Sequence, residues 1–153
     1  MTRINSAISV KNLTDEHLLA EHREIKRLPY CLGKAIKCGS INRIPEKFTL
    51  GKGHVLFFLD KQVFLSNRYG EIRDELVDRG FEPEDYSTNW VVTMMSGYDN
   101  NYIPTKEEKR LLIERIKERI EASPKKVWHY YRRPITRQEA VMLLYDDCVF
   151  EEN

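Results

Sequence analysis

The sequence predicts a mainly α fold, a compact single domain of three main helices with long loops and a short C-terminal helix. The chain has 153 residues, of which 41% are hydrophobic and 32% charged, as in a soluble domain that buries a real core. Three segments carry apolar residues at helical spacing between recognisable end signals. Only VLFFL at 55–59 has the composition of a buried strand, and no second strand stands near it to pair with.

The first predicted helix lies in LTDEHLLAEHREIKRLPY, residues 13–30. Thr14 or Asp15 is its N-cap, with acids in the first turn and bases in the last. Its buried stripe contains Leu18, Leu19 and Ile25. Pro29 interrupts or ends the helix because proline lacks an N–H donor, although helical character can resume through GKAIKCG.

The second and third predicted helices have clear ends. The second lies within residues 61–81 and stops at Gly80. Its apolar side is formed by Phe64, Leu65, Ile72, Leu76 and Val77. The third is capped by Thr105 and ends before Pro124. Its stripe is formed by Leu112, Ile113, Ile116 and Ile120.

The rest of the chain is predicted to be loop, with a short helix in TRQEAVMLLYDD. Residues 82–104 form a long loop, which in a compact domain is usually functional or poorly ordered. We expect residues 1–135 to form the functional domain. Residues 136–153 would be an acidic C-terminal extension, packed on that domain or trailing from it.

The net charge of +1 conceals two basic regions. Residues 1–50 hold nine Lys and Arg against five Asp and Glu, and residues 124–138 hold five bases and no acid. Residues 139–153 hold five acids and no base, which hides this excess in the total. Basic clusters are the electrostatic footprint of nucleic-acid binding, although a solvated surface is the alternative.

Specific residues in these regions favour DNA. On the first helix, Glu24 stands beside Arg23, Lys26 and Arg27, either as part of an exposed ion-paired face or as a carboxylate among phosphate-binding groups. On the third helix, Arg115 and Arg119 are spaced to point at a common phosphate run. In KKVWHYYRR, bases would hold phosphates while three aromatics offer stacking surfaces or else close the core. These aromatics are Trp128, Tyr130 and Tyr131.

The N-terminal MTRIN offers a nucleophile. Removal of Met1 would give Thr2 the free α-amine, whose pKa of about 7.7–8.0 lies well below the roughly 10.4 of a lysine. A larger fraction of it is therefore neutral near pH 7, and a neutral amine attacks aldehyde-like carbon.

Other kinds of site find no support. GKGH at 51–54 lacks the remaining positions of a phosphate-binding loop and predicts a tight turn. His22 and His54 have no neighbours in sequence that mark a ligand or a catalytic base. The three cysteines match no zinc spacing and indicate reduced thiols. With no apolar signal region and no membrane-length apolar run, we expect a cytoplasmic protein without a metal site.

Several stretches together resemble the pyrimidine-dimer DNA glycosylase family of the T-even phages. They are MTRIN, DEHLLAEHREIKR, LGKGHVLFFLDKQVFL, DRGF, NYIP and WHYY, in matching order and spacing from residue 2 to about 134. The resemblance implies an enzyme, bacterial or from a phage-infected cell, that removes one base of a UV-induced cyclobutane dimer and then nicks the backbone. It implies double-stranded damaged DNA as partner, a monomer, and no metal or nucleotide cofactor.

The resemblance also assigns residue roles. It implies that the Thr2 amine attacks C1′ of the 5′ sugar, forming a Schiff base, and that Glu24 stabilises the cationic sugar and assists proton transfer. Lesion and phosphate contacts would come from Arg3, His17, Arg23, Arg27, Arg115 and Arg119. Arg119 stands where the phage enzyme has a lysine, which keeps the charge. Glu16 stands where it has a DNA-contacting glutamine, and this change should weaken DNA binding or alter which feature of the DNA is recognised.

The WHYYRR segment and the acidic tail also depart from the phage pattern.

Three alternatives stay open for the function. The same chemistry could act on another damaged base, such as a ring-opened purine. The chain could be a DNA-binding module without catalysis, which would need neither Thr2 nor Glu24. A helical protein-interaction domain would leave the basic clusters unexplained.

Overall fold

The fold is mainly helical, as predicted. A computed structural model describes residues 4–145, apart from the side chain of Met95. In chain order the α-helices are α1 (Asp15–Ile25), α2 (Leu28–Cys38), α3 (His54–Phe58), α4 (Gln62–Asp78), α5 (Lys106–Ala122) and α6 (Arg137–Leu144). An antiparallel hairpin of β1 (Val127–Tyr130) and β2 (Arg133–Thr136) separates α5 from α6. Short 3-10 turns lie at Val10–Asn12, Ser40–Arg43, Ser87–Trp90 and Thr93–Met95.

The first predicted helix is two helices in the structure. Thr14 is the N-cap of α1, because its hydroxyl accepts from the backbone N–H of His17. Pro29 lies in the first turn of α2, where a missing N–H costs nothing, and Gly39 in the left-handed region ends that helix. Helical character therefore does resume beyond Pro29.

Helices α4 and α5 follow their predicted patterns closely. Thr105 and Glu108 form a capping box at the start of α5, and all four stripe residues of that helix are buried. On α4, Leu65, Ile72 and Leu76 are fully buried. The prediction for Val77 is wrong, since 49% of it is exposed, because it lies about 100° around the helix from Leu76.

VLFFL is not a strand. His54–Phe58 is a short helix that follows a turn with Gly51 and Gly53 at positive φ, so the predicted tight turn at GKGH is confirmed. The helix buries His54, Phe57 and Phe58, which share one face at i, i+3 and i+4 spacing.

One hydrophobic core joins these elements. Helix α1 packs on α4, α5 packs on α6, and the hairpin contacts α1 and α6. Trp90 is buried within the long loop and ties that loop to the core. Ala140 and Leu144 of α6 lie in the same core, so the described part of the acidic extension packs on the rest of the chain. None of the described helices is long and apolar enough to cross a membrane.

Candidate active site

The outward face of α1 carries four residues of the predicted site. Its inward face is buried and includes Leu18, Glu21, His22 and Ile25. The remaining positions are exposed or half-buried and lie side by side because of the helical period. Glu16, His17, Arg23 and Glu24 are among them, and the exposed Arg27 follows two residues beyond the end of α1. This face therefore presents two carboxylates, a histidine and an arginine, with a second arginine just beyond the end of the helix.

Glu24 lies at the C-terminal half of this face. Its side chain is 30% exposed, and its Oε2 is 4.0 Å from Nη1 of Arg27, whose own side chain is 61% exposed. Arg23 is exposed on the neighbouring position. A half-buried carboxylate beside Arg27 can stabilise a developing positive charge, while the two exposed arginines can contact phosphates from solvent.

His17 lies at the other half of the face, against the hairpin. Its ring stacks on Trp128, with 5.1 Å between ring centroids and 9° between the planes. Its Nδ1 shares a 2.7 Å hydrogen bond with the Thr14 hydroxyl. Burial, together with the positive charges of Arg119 and Lys125, lowers the pKa of His17 to about 4, although Glu16 opposes the shift. His17 is therefore a neutral group at physiological pH.

The three predicted stacking aromatics differ in exposure, since Trp128 is buried, Tyr130 is half-buried and Tyr131 is 39% exposed. Trp128 is 7% exposed and belongs to the core, so the alternative in which it closes the core describes it. The Tyr130 hydroxyl donates to the Lys11 carbonyl oxygen, and the Tyr131 hydroxyl donates to Oε1 of Glu75. Burial raises the pKa of each tyrosine to about 12, and for Tyr131 the bond to Glu75 adds to the shift.

Glu16 is neutralised within the protein. Its carboxylate accepts from the backbone N–H of His129 at 3.1 Å and lies 2.6 Å from His129 Nδ1 and 3.3 Å from Lys125 Nζ. Burial opposes ionisation, but the bonds from His129 and the charge of Lys125 outweigh it and hold the pKa of Glu16 below its usual range. The negative charge of Glu16 is therefore compensated by Lys125 and by the hydrogen bonds with His129.

Asp15 fixes the hairpin turn. Tyr131 and Arg132 have φ of 51° and 64°, which is uncommon for residues other than glycine. Their backbone N–H groups donate to Oδ1 and Oδ2 of Asp15 at 3.2 and 2.8 Å. Arg79 pairs with the same carboxylate and with Glu75, and all three side chains are buried. This ionic cluster ties the first turn of α1 to the hairpin.

Arg115 and Arg119 follow each other one turn apart on α5. Arg115 is half-buried and Arg119 is exposed. Burial and the neighbouring charge of Arg115 lower the pKa of Arg119 from its usual value, and Arg119 in turn acts on His17. These arginines therefore extend the basic surface from the His17 end of α1. The predicted site divides into one group around Glu24 and a second group around His17.

Thr2 and Arg3 lie outside the described residues. The residue at which the described chain begins is anchored in the core, because Ile4 is fully buried and its N–H donates to Nε2 of His54 at 3.1 Å. Farther along, Arg68 donates to the Ile8 carbonyl oxygen at 2.7 Å. The segment that leads to Thr2 is thus anchored to α3 and α4.

The sequence alone did not identify Asp15, Lys125 or His129 as parts of the site. Lys125 belonged to a basic run and Asp15 to a helix start, but their partners lie more than 100 residues away in the chain. No local spacing signals such pairs. Among residues 4–145, no group of three or more His, Cys, Asp or Glu side chains is arranged to hold a metal ion.

Comparison with known families gives one match, to a family model described as pyrimidine dimer DNA glycosylase. The match covers residues 1–89, which is more than half of the chain and includes all of α1. It therefore contains Thr2 and Glu24, together with Arg23 and Arg27. A DNA substrate and a role in DNA repair follow from the family. The chain belongs to the pyrimidine dimer DNA glycosylases.

Proposed function

We propose that this glycosylase excises one base of a cyclobutane pyrimidine dimer in double-stranded DNA and then cleaves the backbone at the abasic site. The observation that carries the proposal is the position of Glu24, a half-buried carboxylate beside Arg27 on the helix face that the family match includes. The match supports glycosylase chemistry, and the carboxylate supplies the group that such chemistry needs next to phosphates.

The proposed nucleophile is the Thr2 α-amine, exposed by removal of Met1. Its lone pair forms a bond to C1′ of the 5′ sugar, while the glycosidic bond breaks and its electron pair leaves on the base, which takes up a proton. Opening of the sugar ring then gives an iminium ion. Glu24 would stabilise this cation and accept or relay the C2′ proton.

Backbone cleavage follows from the same intermediate. Loss of the C2′ proton moves an electron pair toward the iminium, and the C3′–O bond breaks with its electrons leaving on the 3′ phosphate. Water then hydrolyses the imine and returns the amine. This sequence needs no oxidant and no metal ion, since each electron pair stays within the sugar, the amine and the leaving groups.

Binding would rest on phosphate contacts along two helices. Arg23 is exposed on α1 and Arg27 at the start of α2, and Arg115 and Arg119 continue the basic surface on α5. These four arginines and Arg3 would bind the phosphates around the lesion, and the affinity for DNA would fall steeply with increasing salt concentration. We also propose that the enzyme acts as a monomer in the cytoplasm, where Cys31 and Cys38, both free thiols, stay reduced.

A base extruded from the DNA duplex opposite the lesion would need a binding groove on the protein. A groove of about 680 Å³ opens beside the C-terminal end of α1. Lys26, Lys34 and Lys37 line it together with Tyr30, whose side chain is well exposed. An apolar groove with a positive rim suits an extruded nucleotide, and extrusion would free the dimer sugar for attack at a cost of a few kcal/mol.

The test is Glu24→Gln, with Glu71→Gln on the exposed side of α4 as the matched control. Duplexes would carry a cis-syn thymine dimer, an abasic site, a ring-opened purine or no lesion. We expect Glu24→Gln to bind dimer DNA normally and to lose about 10²-fold or more in excision rate, while Glu71→Gln stays active. Wild-type-like turnover in Glu24→Gln would reject the assigned role. Faster excision of the ring-opened purine than of the dimer would overturn the proposed lesion.

A further inference from the structure

The N-terminal segment is held in the core by side chains from elsewhere in the chain. Ile4, Ile8 and Leu13 are fully buried. Arg68 of α4 donates to the Ile8 carbonyl oxygen, and Arg79 donates to those of Val10 and Leu13. These bonds satisfy backbone groups that would otherwise be buried without partners. They also fix the path of residues 4–13.

His54 is the anchor nearest to Thr2. Its Nε2 accepts from the Ile4 N–H at 3.1 Å, and its Nδ1 lies 2.9 Å from the Thr49 carbonyl oxygen. A carbonyl oxygen only accepts, so Nδ1 carries the proton and Nε2 offers its lone pair to Ile4. The imidazole is therefore neutral and has one tautomer. Its ring is fully buried, with edge contacts to Phe48 and Phe58.

We propose that neutral His54 is a positioning residue for the amine of Thr2, and that protonation of His54 releases the N-terminal segment. The inference rests on the proposed function of that amine. Ile4 follows Thr2 by two residues, so at most about 7 Å of extended chain separates their positions. Without the hydrogen bond from Ile4 to His54, the position of the amine would no longer be fixed. A misplacement of about 1 Å can cost roughly 10²-fold in rate.

The surroundings of His54 favour the neutral form. Burial lowers the pKa of His54, although the hydrogen bonds to Thr49 and Ile4 and the charge of Glu21 oppose the shift. Glu21 on α1 is itself engaged by Arg68 of α4 through bonds of 2.8 and 3.0 Å. Phe48 and Phe58 contribute no charge. A proton on Nε2 would point at the Ile4 N–H, and two donors cannot bond to each other.

Three variants separate positioning from stability. His54→Phe keeps an aromatic ring and removes the acceptor for Ile4, whereas His54→Gln keeps an acceptor oxygen near the position of Nε2. Phe48→Leu removes packing against the same ring and leaves the hydrogen bond in place, so it is the matched control. Each protein, with Met1 removed, is incubated with abasic-site duplex and sodium cyanoborohydride, and the rate of adduct formation is measured while circular dichroism confirms folding.

We expect His54→Phe to form adduct at least tenfold more slowly than Phe48→Leu, with DNA affinity within threefold of wild type. His54→Gln should recover most of the rate. In wild type the logarithm of the rate should fall with slope one as the amine protonates, then with slope two once His54 also protonates. His54→Gln should keep slope one throughout. Equal losses of rate in His54→Phe and Phe48→Leu would overturn the proposal. So would a region of slope two in the pH–rate profile of His54→Gln.

Hydrogen exchange at the Ile4 amide gives a readout that does not depend on the chemistry. Exchange should accelerate at least tenfold in His54→Phe, relative to the buried amides of α5, and stay slow in Phe48→Leu. Unchanged exchange in His54→Phe would show that His54 does not hold the segment. A wild-type protein that forms no adduct would instead reject the amine as nucleophile, so the two failures are distinguishable.

Discussion

The Glu16→Gln substitution tests whether Glu16 holds Lys125 away from DNA. In the native protein the Glu16 carboxylate lies 3.3 Å from Lys125 Nζ and accepts from His129. The side chains of Glu16 and Lys125 are 25% and 42% exposed, so the ion pair is partly solvated and contributes about 0.5–1 kcal/mol. Glutamine can still accept from the His129 N–H, but it does not hold the lysine. We therefore expect nearly unchanged stability and a Lys125 available to phosphate.

The magnitude of the effect follows from counterion release. Each phosphate newly neutralised on duplex DNA steepens the dependence of log Kobs on log[salt] by about 0.9. One additional contact from Lys125 should therefore make the salt slope about 0.9 steeper. Lowering the salt from about 200 to about 50 mM would then raise the affinity of the variant by roughly 3.5-fold more than that of wild type.

Fluorescence anisotropy on an undamaged duplex at several salt concentrations measures this slope. The controls are Lys125→Gln and the double variant. We expect Lys125→Gln alone to change the slope little, because its cation is engaged by Glu16, and the double variant to lose the gain of Glu16→Gln. An unchanged slope in Glu16→Gln, combined with a shallower slope in Lys125→Gln, would show instead that Lys125 already contacts DNA in the wild-type protein.

Three further outcomes are expected. Asp15→Ala should cost about 3–5 kcal/mol in urea unfolding because it leaves Arg79 and the turn N–H groups short of a partner, whereas exposed Asp74→Ala should cost little. A loss below 1 kcal/mol would contradict this account of the turn. His17 has a pKa lowered to about 4, so its contribution to stability is complete above pH 6.5 and falls by about 3 kcal/mol toward pH 4. His17→Phe should flatten that part of the stability profile, and an unchanged profile would exclude His17 as its source. Adding one residue before Thr2 should abolish cleavage of abasic DNA, and full activity would point to a lysine nucleophile.

The predictable part of the fold is the part in which local signals agree. The capping box of Thr105 and the isoleucine stripe of α5 are read directly from the sequence, and both occur as predicted. VLFFL has the composition of a buried strand but forms a helix, because a short apolar run is compatible with either element. The preceding glycine turn and the i, i+3, i+4 burial of this run decide for the helix.

The hairpin escaped prediction because its turn lacks the usual residues. Tyr131 and Arg132 occupy left-handed conformations that sequence rules reserve for glycine and asparagine. The turn is stabilised by Asp15, which lies 116 residues away from Tyr131. The same long-range packing buries Trp128 and neutralises Glu16. Local sequence therefore located the α1 face of the candidate site, whereas tertiary contacts determine how the hairpin completes it.

The amine of Thr2 is the proposed nucleophile, and trapping its covalent adduct with DNA tests this assignment directly. Purified protein lacking Met1 would be incubated with sodium borohydride and duplexes carrying a cis-syn thymine dimer, an abasic site or no lesion, and adducts would be mapped by mass spectrometry. We expect a covalent adduct on the dimer and abasic duplexes, attached at Thr2, and none on undamaged DNA. An adduct at a lysine, or no adduct on either damaged duplex, would contradict this assignment.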